Sequence, residues 1–295
     1  MGRRGIWQRI RQVWITLGLL VTVAFVGWSL VAYRASAVAT AATRPDSAVA
    51  VQHRDGVWFF EPTAPPDSGA PALVFFPGAL VDPRAYAPLL RAAASAGFPA
   101  YLVELPRRGA LGGADDPDLE RRFDGLLSAS VAPRRWVIAG HSRGAVVAAT
   151  FAANQRPGFG GLVLIGTSHP RDVDLSALQV GVTKIVGTRD GLARRADVEA
   201  NRRKLPEHTR WVWIDGGNHS QFGWYGFQPG DRFARIDATV QRTLMTDAVI
   251  DALRTAGASA ASGQQSTASV RHAHFPCIDV AIASRYFIDI TRATN

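Results

Sequence analysis

The chain of 295 residues is long enough for one large domain or two small ones, and its 47% hydrophobic and 19% charged residues are values of a globular rather than a disordered protein. Its single cysteine, Cys277, excludes an intramolecular disulfide and a cysteine-rich metal site. Of the net charge of +9, six arginines before residue 46 supply +6 without any acid, so the basic balance does not indicate nucleic-acid binding.

The first predicted element is a transmembrane anchor at residues 13–33. This segment contains no charged residue, and its length is close to the ~20 residues that cross the hydrocarbon core of a bilayer. Four arginines precede it and two follow it within a dozen residues, so the positive-inside rule predicts that residues 1–12 are cytoplasmic and that the rest of the chain lies outside the cytoplasm. Residues 34–47 are small and polar and are expected to form a tether.

A cleaved signal peptide is the alternative interpretation of this segment. Ala35-Ser36-Ala37 and Ala37-Val38-Ala39 resemble the small-residue sites at which signal peptides are cut. The apolar run is longer than the usual signal core of about 7–15 residues, which favours a retained anchor. Either interpretation exports the body of the chain.

From residue 48 onward, strand and helix patterns alternate. Strands are expected at 48–51, 57–60, 72–76, 100–105, 136–139, 162–165, 182–186 and 210–214, and helices at 83–96, 117–130, 143–154, 192–204 and 233–254. The alternation predicts an α/β fold over residues 48–254, with a mostly parallel sheet flanked by helices and opened by an antiparallel hairpin. The connection from 165 to 182 is too short for a sizeable lid domain, so we expect an open site.

Residues 255–295 are expected to be a linker and a tail without an assigned role. Residues 256–270 are rich in Ala, Ser, Gln and Gly, which is typical of a linker. His272 and His274 have no further ligand residues beside them, and two histidines alone do not make a metal site.

The most informative motif is Gly140-His141-Ser142-Arg143-Gly144, a G-x-S-x-G sequence between a predicted strand and a predicted helix. Such a sharp turn holds the central serine in a strained conformation with its hydroxyl above the sheet, and the helix N-terminus directs free N–H groups at the reaction centre. The motif therefore predicts Ser142 to be a nucleophile. The side chain of His141 is expected to point away from it, with a packing or supporting role.

A serine nucleophile needs a base, and the base needs a carboxylate that orients it. Asp190 and His219 each follow a predicted strand, in the order Ser, Asp, His that this architecture uses. Asp190 has the alternative role of capping the helix after it, and Asp215 also ends a strand and competes for the acid role. We favour Asp190 because the loop after the earlier strand usually donates the acid.

The negatively charged oxygen of the tetrahedral intermediate needs two N–H donors, which form an oxyanion hole. One is expected to be the backbone N–H of Arg143, directly after the nucleophile. The other is expected in the loop after the strand at 72–76, where Gly78 permits a close backbone approach and the Ala79 N–H is the predicted donor.

Five motifs make the chain resemble the α/β-hydrolases, and more narrowly their compact dienelactone-hydrolase-like branch. They are FPGALVDPRAY at 76–86, GHSRG at 140–144, GTRDG at 187–191, GGNHSQFG at 216–223 and QPGD at 228–231. The resemblance covers residues 48–254 and implies Ser142 as nucleophile, His219 as base and Asp190 as the acid that orients it. The dienelactone hydrolases proper carry a cysteine nucleophile, whereas this chain has serine at that position.

The sequence therefore predicts a serine hydrolase that cleaves carboxylic esters through an acyl-enzyme on Ser142, without a metal or an organic cofactor. The expected partners are a small-molecule ester substrate and the membrane, through the N-terminal helix. The alternatives are thioester cleavage or acyl transfer on the same scaffold, and a membrane-tethered binding protein without turnover.

Overall fold

The computed structural model describes residues 3–67, 69–110, 113–128 and 135–270, and in them a single sheet of eight strands. The strands are β1 (Val49–Arg54), β2 (Val57–Pro62), β3 (Ala72–Phe76), β4 (Ala100–Val103), β5 (Trp136–His141), β6 (Phe159–Ile165), β7 (Gly181–Gly187) and β8 (Arg210–Ile214). Their order across the sheet is β1-β2-β4-β3-β5-β6-β7-β8. All eight predicted strands are present.

The sheet is parallel from β4 to β8, while β1 and β2 form an antiparallel hairpin that adds to the edge beside β4. Every residue of β3, β4 and β5 is buried. Continuous apolar strands of this kind require cover on both faces of the sheet. The predicted α/β fold with a mostly parallel sheet is thus confirmed.

Helices cover both faces of the sheet and form a core on each side. The helices are α1 (Arg3–Ala32), α2 (Ala37–Ala41), α3 (Ala87–Ser95), α4 (Pro117–Ser128), α5 (Arg143–Ala153), α6 (Arg195–Ala200) and α7 (Ala238–Val270). One core lies between the sheet and helices α3 and α7. The other lies between the sheet and helices α4 and α5.

Three predicted helices have different bounds in the structure. The helix expected at 83–96 is a 3-10 turn at Pro83–Tyr86 followed by α3, and the one expected at 192–204 shrinks to α6 and a 3-10 turn at Arg202–Lys204. Helix α7 begins at Ala238 and continues to Val270, so the linker expected at 256–270 is helical. No proline interrupts these residues, and their alanines favour helix. The tail at 271–295, with Cys277, His272 and His274, lies outside the described residues.

Helix α1 is long and apolar enough, by length and composition, to cross a membrane over Ile6–Ser29, and none of this span is buried against the rest of the molecule. The candidate span includes most of the predicted residues 13–33. Tyr33, at the end of the predicted segment, is only 7% exposed and belongs to a core of the α/β domain.

Residues 34–47 pack onto the α/β domain and do not form the expected tether. Ser36 caps α2 by accepting a hydrogen bond from the Ala39 N–H, and Ala39 is fully buried. The Arg91 guanidinium donates to the carbonyl of Ala42, to the carbonyl of Arg44 and to the Asp46 carboxylate. Small side chains suit both a flexible linker and a closely packed helix, so composition did not distinguish the two.

Candidate active site

Ser142 occupies a sharp turn between β5 and α5, with φ +54° and ψ −115°. A residue other than glycine rarely adopts a positive φ, and such strain is typical of functional sites. Two glycines make the turn sterically feasible: a Cβ on Gly140 would lie 2.3 Å from the Gly144 carbonyl carbon, and a Cβ on Gly144 would lie 2.0 Å from the Phe76 carbonyl oxygen. The spacing of the motif thus follows from backbone packing.

Asp190 and His219 form a buried pair at the carboxyl edge of the sheet. Asp190 follows β7 and His219 follows β8, and the Asp190 Oδ2 lies 2.8 Å from the His219 Nδ1. The two residues are 2% and 1% exposed. The carboxylate accepts the Nδ1 proton, which leaves the lone pair of a neutral ring on Nε2.

The Nε2 atom of His219 is buried and has no hydrogen-bond partner among the described residues. It therefore makes no hydrogen bond to Ser142, whose residue is half-buried at the same edge of the sheet. In an enzyme without substrate, the bond between nucleophile and base is often long and tightens when substrate binds. An unpartnered Nε2 is what a base needs in order to take up a serine proton.

The Asp190 carboxylate has two roles, one for each oxygen. While Oδ2 orients His219, Oδ1 accepts hydrogen bonds from the N–H groups of Leu192 (2.8 Å) and Ala193 (2.6 Å). Both interpretations of Asp190 from the sequence, as acid and as cap, therefore describe contacts in the structure. The competing Asp215 is exposed and accepts a hydrogen bond from the Thr188 hydroxyl at 3.0 Å.

Asp231 connects the loop after β7, which carries Asp190, to the loop after β8, which carries His219. Its Oδ1 accepts hydrogen bonds from the N–H groups of Gly191 (3.1 Å) and His219 (3.2 Å). Its Oδ2 accepts the N–H of Ser220 (2.8 Å) and the hydroxyl of Ser220 (2.7 Å). Asp231 ends the motif at 228–231, but no role was expected for its side chain from the sequence. This carboxylate therefore joins the residue after Asp190 to His219 and Ser220.

The loop that was predicted to supply an oxyanion donor lies beside the nucleophile, since a Cβ on Gly78 would be 3.7 Å from the Ser142 Cβ. The Gly78 N–H donates to the Tyr86 hydroxyl at 3.1 Å, and the Leu80 N–H donates to the Arg108 carbonyl at 2.7 Å. The N–H of Ala79, which lies between Gly78 and Leu80, donates no hydrogen bond within the described part of the chain. The Arg143 N–H stands at the start of α5, directly after Ser142.

His141, for which a packing or supporting role was expected, contacts both His219 and Tyr86. Its fully buried ring lies 4.5 Å from the His219 ring between centroids, and its Nδ1 lies 2.8 Å from the Tyr86 hydroxyl. The same Tyr86 hydroxyl accepts a hydrogen bond from the Gly78 N–H. Burial and the neighbouring His219 hold the pKa of His141 well below its ordinary value. A neutral His141 packs under the base without adding charge to it.

Neither a cluster of metal-binding residues in the described segments nor the cavity beside α6 marks this site. No group of three or more His, Cys, Asp or Glu in the described segments is arranged to hold a metal ion. A cavity of about 960 Å³ lies between α6 and the neighbouring loops, at the amino end of β8, and includes none of the residues discussed above. The geometry, and not the cavity volume, locates the site.

Comparisons with known proteins agree with this architecture. The chain matches the model of the alpha/beta hydrolase family over residues 72–243. It is similar in fold to a predicted CIB-like hydrolase from Thermoplasma acidophilum (14% identity, TM-score 0.51, 69% of this chain and 99% of that chain). It is also similar to a lipase in its open form (13% identity, TM-score 0.51, 73% of this chain and 97% of that chain). No curated protein matches the chain in sequence.

Proposed function

Because the chain belongs to the α/β-hydrolase family, we propose that it is a serine hydrolase that cleaves carboxylic esters through an acyl-enzyme on Ser142. The observation that carries this proposal is the buried pair of His219 and Asp190, 2.8 Å apart, whose free Nε2 lies at the edge of the sheet that also carries the strained Ser142. A pair in this arrangement activates a serine hydroxyl.

The reaction proceeds in two steps. The Ser142 hydroxyl oxygen attacks the ester carbonyl carbon while His219 Nε2 takes the hydroxyl proton, and Asp190 stabilises the resulting imidazolium. The Ala79 and Arg143 N–H groups donate to the negatively charged oxygen of the intermediate. Its collapse releases the alcohol, which takes the proton from His219. A water molecule, deprotonated by His219, then attacks the acyl carbon; the bond from this carbon to the Ser142 oxygen breaks, the carboxylic acid leaves, and the Ser142 oxygen takes the proton back from His219.

We also propose that α1 is a retained anchor, with the N-terminus in the cytoplasm and the hydrolase domain outside it. Cleavage after Ala37 or Ala39 would remove Tyr33 from a core of the domain. It would also break α2, whose Ala39 is fully buried. A segment that completes the folded domain supports retention over removal.

The test is labelling of the purified full-length protein by a fluorophosphonate, which reacts quickly only with an activated serine. Wild type is expected to be labelled, while Ser142→Ala and His219→Ala are not, and ester hydrolysis falls by about 10³-fold or more in both variants. Ser176→Ala removes an exposed serine at the opposite edge of the sheet and is expected to label like wild type. Folded wild type that resists labelling would contradict the proposal and favour a binding protein without turnover.

A further inference from the structure

The C-terminal end of α1 is attached to the loops that build the active site. The Ala32 carbonyl accepts the Gly226 N–H at 2.7 Å, and the Ser36 N–H donates to the Trp224 carbonyl at 2.8 Å, both in the loop that begins with His219. The Tyr33 carbonyl accepts a hydrogen bond of 2.8 Å from the Asp82 N–H. Asp82 lies in the loop at 77–82, which was predicted to supply an oxyanion donor and is called the oxyanion loop below. The candidate membrane span and the active site therefore meet without an intervening linker.

This attachment is packed as well as hydrogen-bonded. The Tyr33 ring meets the Tyr225 ring edge-on at 6.3 Å, and Tyr225 in turn contacts Tyr86 at 6.5 Å. A Cβ on Gly226 would lie 2.9 Å from the Ala32 carbonyl oxygen, so the backbones approach as closely as glycine permits. Contacts of this density hold the α/β domain in one orientation relative to the end of α1.

The attachment leaves little distance between the domain and a membrane. The candidate span ends at Ser29, and Tyr33, four residues later, is already buried in the domain. At the helical rise of ~1.5 Å per residue, that separation is about 6 Å. The active-site edge of the domain is thus adjacent to the surface of any bilayer that α1 crosses.

The same edge carries exposed apolar side chains. Outside α1, the large hydrophobic residues that are exposed among the described side chains are Val38, Leu80, Leu192, Phe233, Val240 and Leu244. Val38 lies on α2, Leu80 in the oxyanion loop, Leu192 just after Asp190, and Phe233 after the loop that carries His219. Val240 and Leu244 lie near the start of α7. This part of α7 is attached to the active-site edge, because the Gln241 side chain forms hydrogen bonds with the N–H and the carbonyl of Asn218. Exposed apolar residues gathered on one side of a protein are typical of membrane contact.

We propose that the active-site edge of the domain rests on the surface of the membrane that α1 spans, and that the substrate is a lipid ester held in that membrane. The acyl chain would stay in the leaflet while the ester carbonyl, which sits at the boundary between headgroups and chains, reaches Ser142. The substrate class rests on the proposed ester hydrolysis, whereas the orientation of the domain does not.

The orientation is tested by fluorescence quenching in phosphatidylcholine vesicles. The full chain with Cys277→Ser carries one new cysteine, Val240→Cys or Leu244→Cys, labelled with a fluorophore, and the vesicles contain lipid with a nitroxide on its headgroup. Ala177→Cys is the matched control, because it is exposed and precedes β7 at the opposite edge of the sheet. Quenching at 240 and 244 but not at 177 is expected. Equal quenching at all three positions would overturn the orientation.

The substrate class is tested in the same vesicles with two esters, a long-chain diacylglycerol in the bilayer and a soluble butyrate ester. The double variant Val240→Gln with Leu244→Gln is expected to lose about tenfold in activity on the diacylglycerol and less than about twofold on the butyrate, because two apolar contacts with lipid are lost. Ala177→Gln is expected to keep both activities. Loss of both activities to the same degree, or of neither, would overturn the substrate class. Absence of all hydrolysis and of serine labelling would instead contradict the proposed function, and the quenching result would then decide the orientation by itself.

Discussion

At the scale of single residues, Asp190 shows why alternatives from the sequence need not exclude one another. A carboxylate has two oxygens, and here one oxygen caps the backbone at residues 192 and 193 while the other orients His219. The order Ser, Asp, His was readable along the chain. The contacts of Asp231 were not, because the hydrogen bonds that it accepts from Gly191, His219 and Ser220 come from residues 11 to 40 positions away.

Asp190→Asn is expected to lower kcat for ester hydrolysis by about 10³–10⁴-fold, because an amide facing Nδ1 favours the wrong tautomer of His219. The amide oxygen can still cap the backbone, so the melting temperature should change little. Steady-state kinetics and thermal unfolding are measured side by side. Asp215→Asn is the matched control, since this exposed residue contacts Thr188 and not His219. Similar losses of kcat in both variants would contradict the assignment of the acid.

Lys184, which the sequence analysis passed over, is buried in β7, and its ammonium donates a hydrogen bond to the His169 carbonyl. Burial lowers the pKa of Lys184 from 10.5 to about 7. Between these values the unfolded chain binds one proton more than the folded one, so the free energy of unfolding rises with pH, by at most about 1.4 kcal/mol per pH unit. Lys184→Met is expected to remove this rise.

The measurement for Lys184 is urea unfolding of wild type and Lys184→Met at several pH values between 7 and 10. The unfolding free energy of wild type minus that of Lys184→Met should increase as the pH increases. The hydrogen bond lost in the variant shifts this difference by a constant amount and does not change its slope. A difference that stays constant with pH would mean that the folded protein keeps Lys184 charged.

At the scale of elements, strands and the nucleophile turn were predictable because their signals are local. The apolar run at 72–76 and the glycine spacing around Ser142 lie within a few residues each, and β3 and the turn occur where they were expected. Helix ends were less predictable. The helix expected from 192 starts at Arg195 because Asp190 first draws residues 192 and 193 into its own turn.

Gly144→Ala is expected to lower the free energy of unfolding by about 3 kcal/mol or more, because the new Cβ would lie 2.0 Å from the Phe76 carbonyl oxygen and only backbone movement relieves the overlap. Gly125→Ala is the matched control. Gly125 lies inside α4 with no atom within 4 Å of an added Cβ, and alanine there is expected to stabilise the helix by about 0.5–1 kcal/mol. Chemical denaturation of both variants measures the two changes in unfolding free energy, which are expected to have opposite signs. A mild effect at Gly144 would mean that α5 and β3 are less closely packed than they are here.

At the scale of the whole molecule, residues 33–46 connect the candidate membrane helix to the hydrolase domain as a folded part of it. Tyr33 and Ala39 are buried, and Arg91 fastens the end of the segment. The carboxyl edge of the sheet thereby collects Ser142, Asp190, His219, the end of α1 and the exposed apolar side chains. In this arrangement a helix that anchors the domain would also orient the edge that contains Ser142, Asp190 and His219 relative to the membrane.

Two shortened chains test the contribution of this segment to stability. A chain that begins at Val31 keeps Tyr33 and α2, whereas one that begins at Ala48 loses them, and both lack the candidate span. Loss of a buried tyrosine and its neighbours is expected to cost about 3 kcal/mol and to lower the melting temperature by several degrees. Coinciding melting curves would show that residues 31–47 contribute nothing to the stability of the domain.

The amino-acid sequence by itself determined the α/β class, the eight strands, the strained turn at Ser142 and the order of the three site residues. Each of these depends on a periodicity or a spacing of a few residues, which backbone geometry converts directly into structure. Only the tertiary structure decided that residues 34–47 pack, that the His141 ring and the Asp231 carboxylate contact His219, and that the end of α1 contacts the loop after His219. These features join residues far apart in the chain, and the register of the sheet, rather than any local pattern, brings such residues within contact distance.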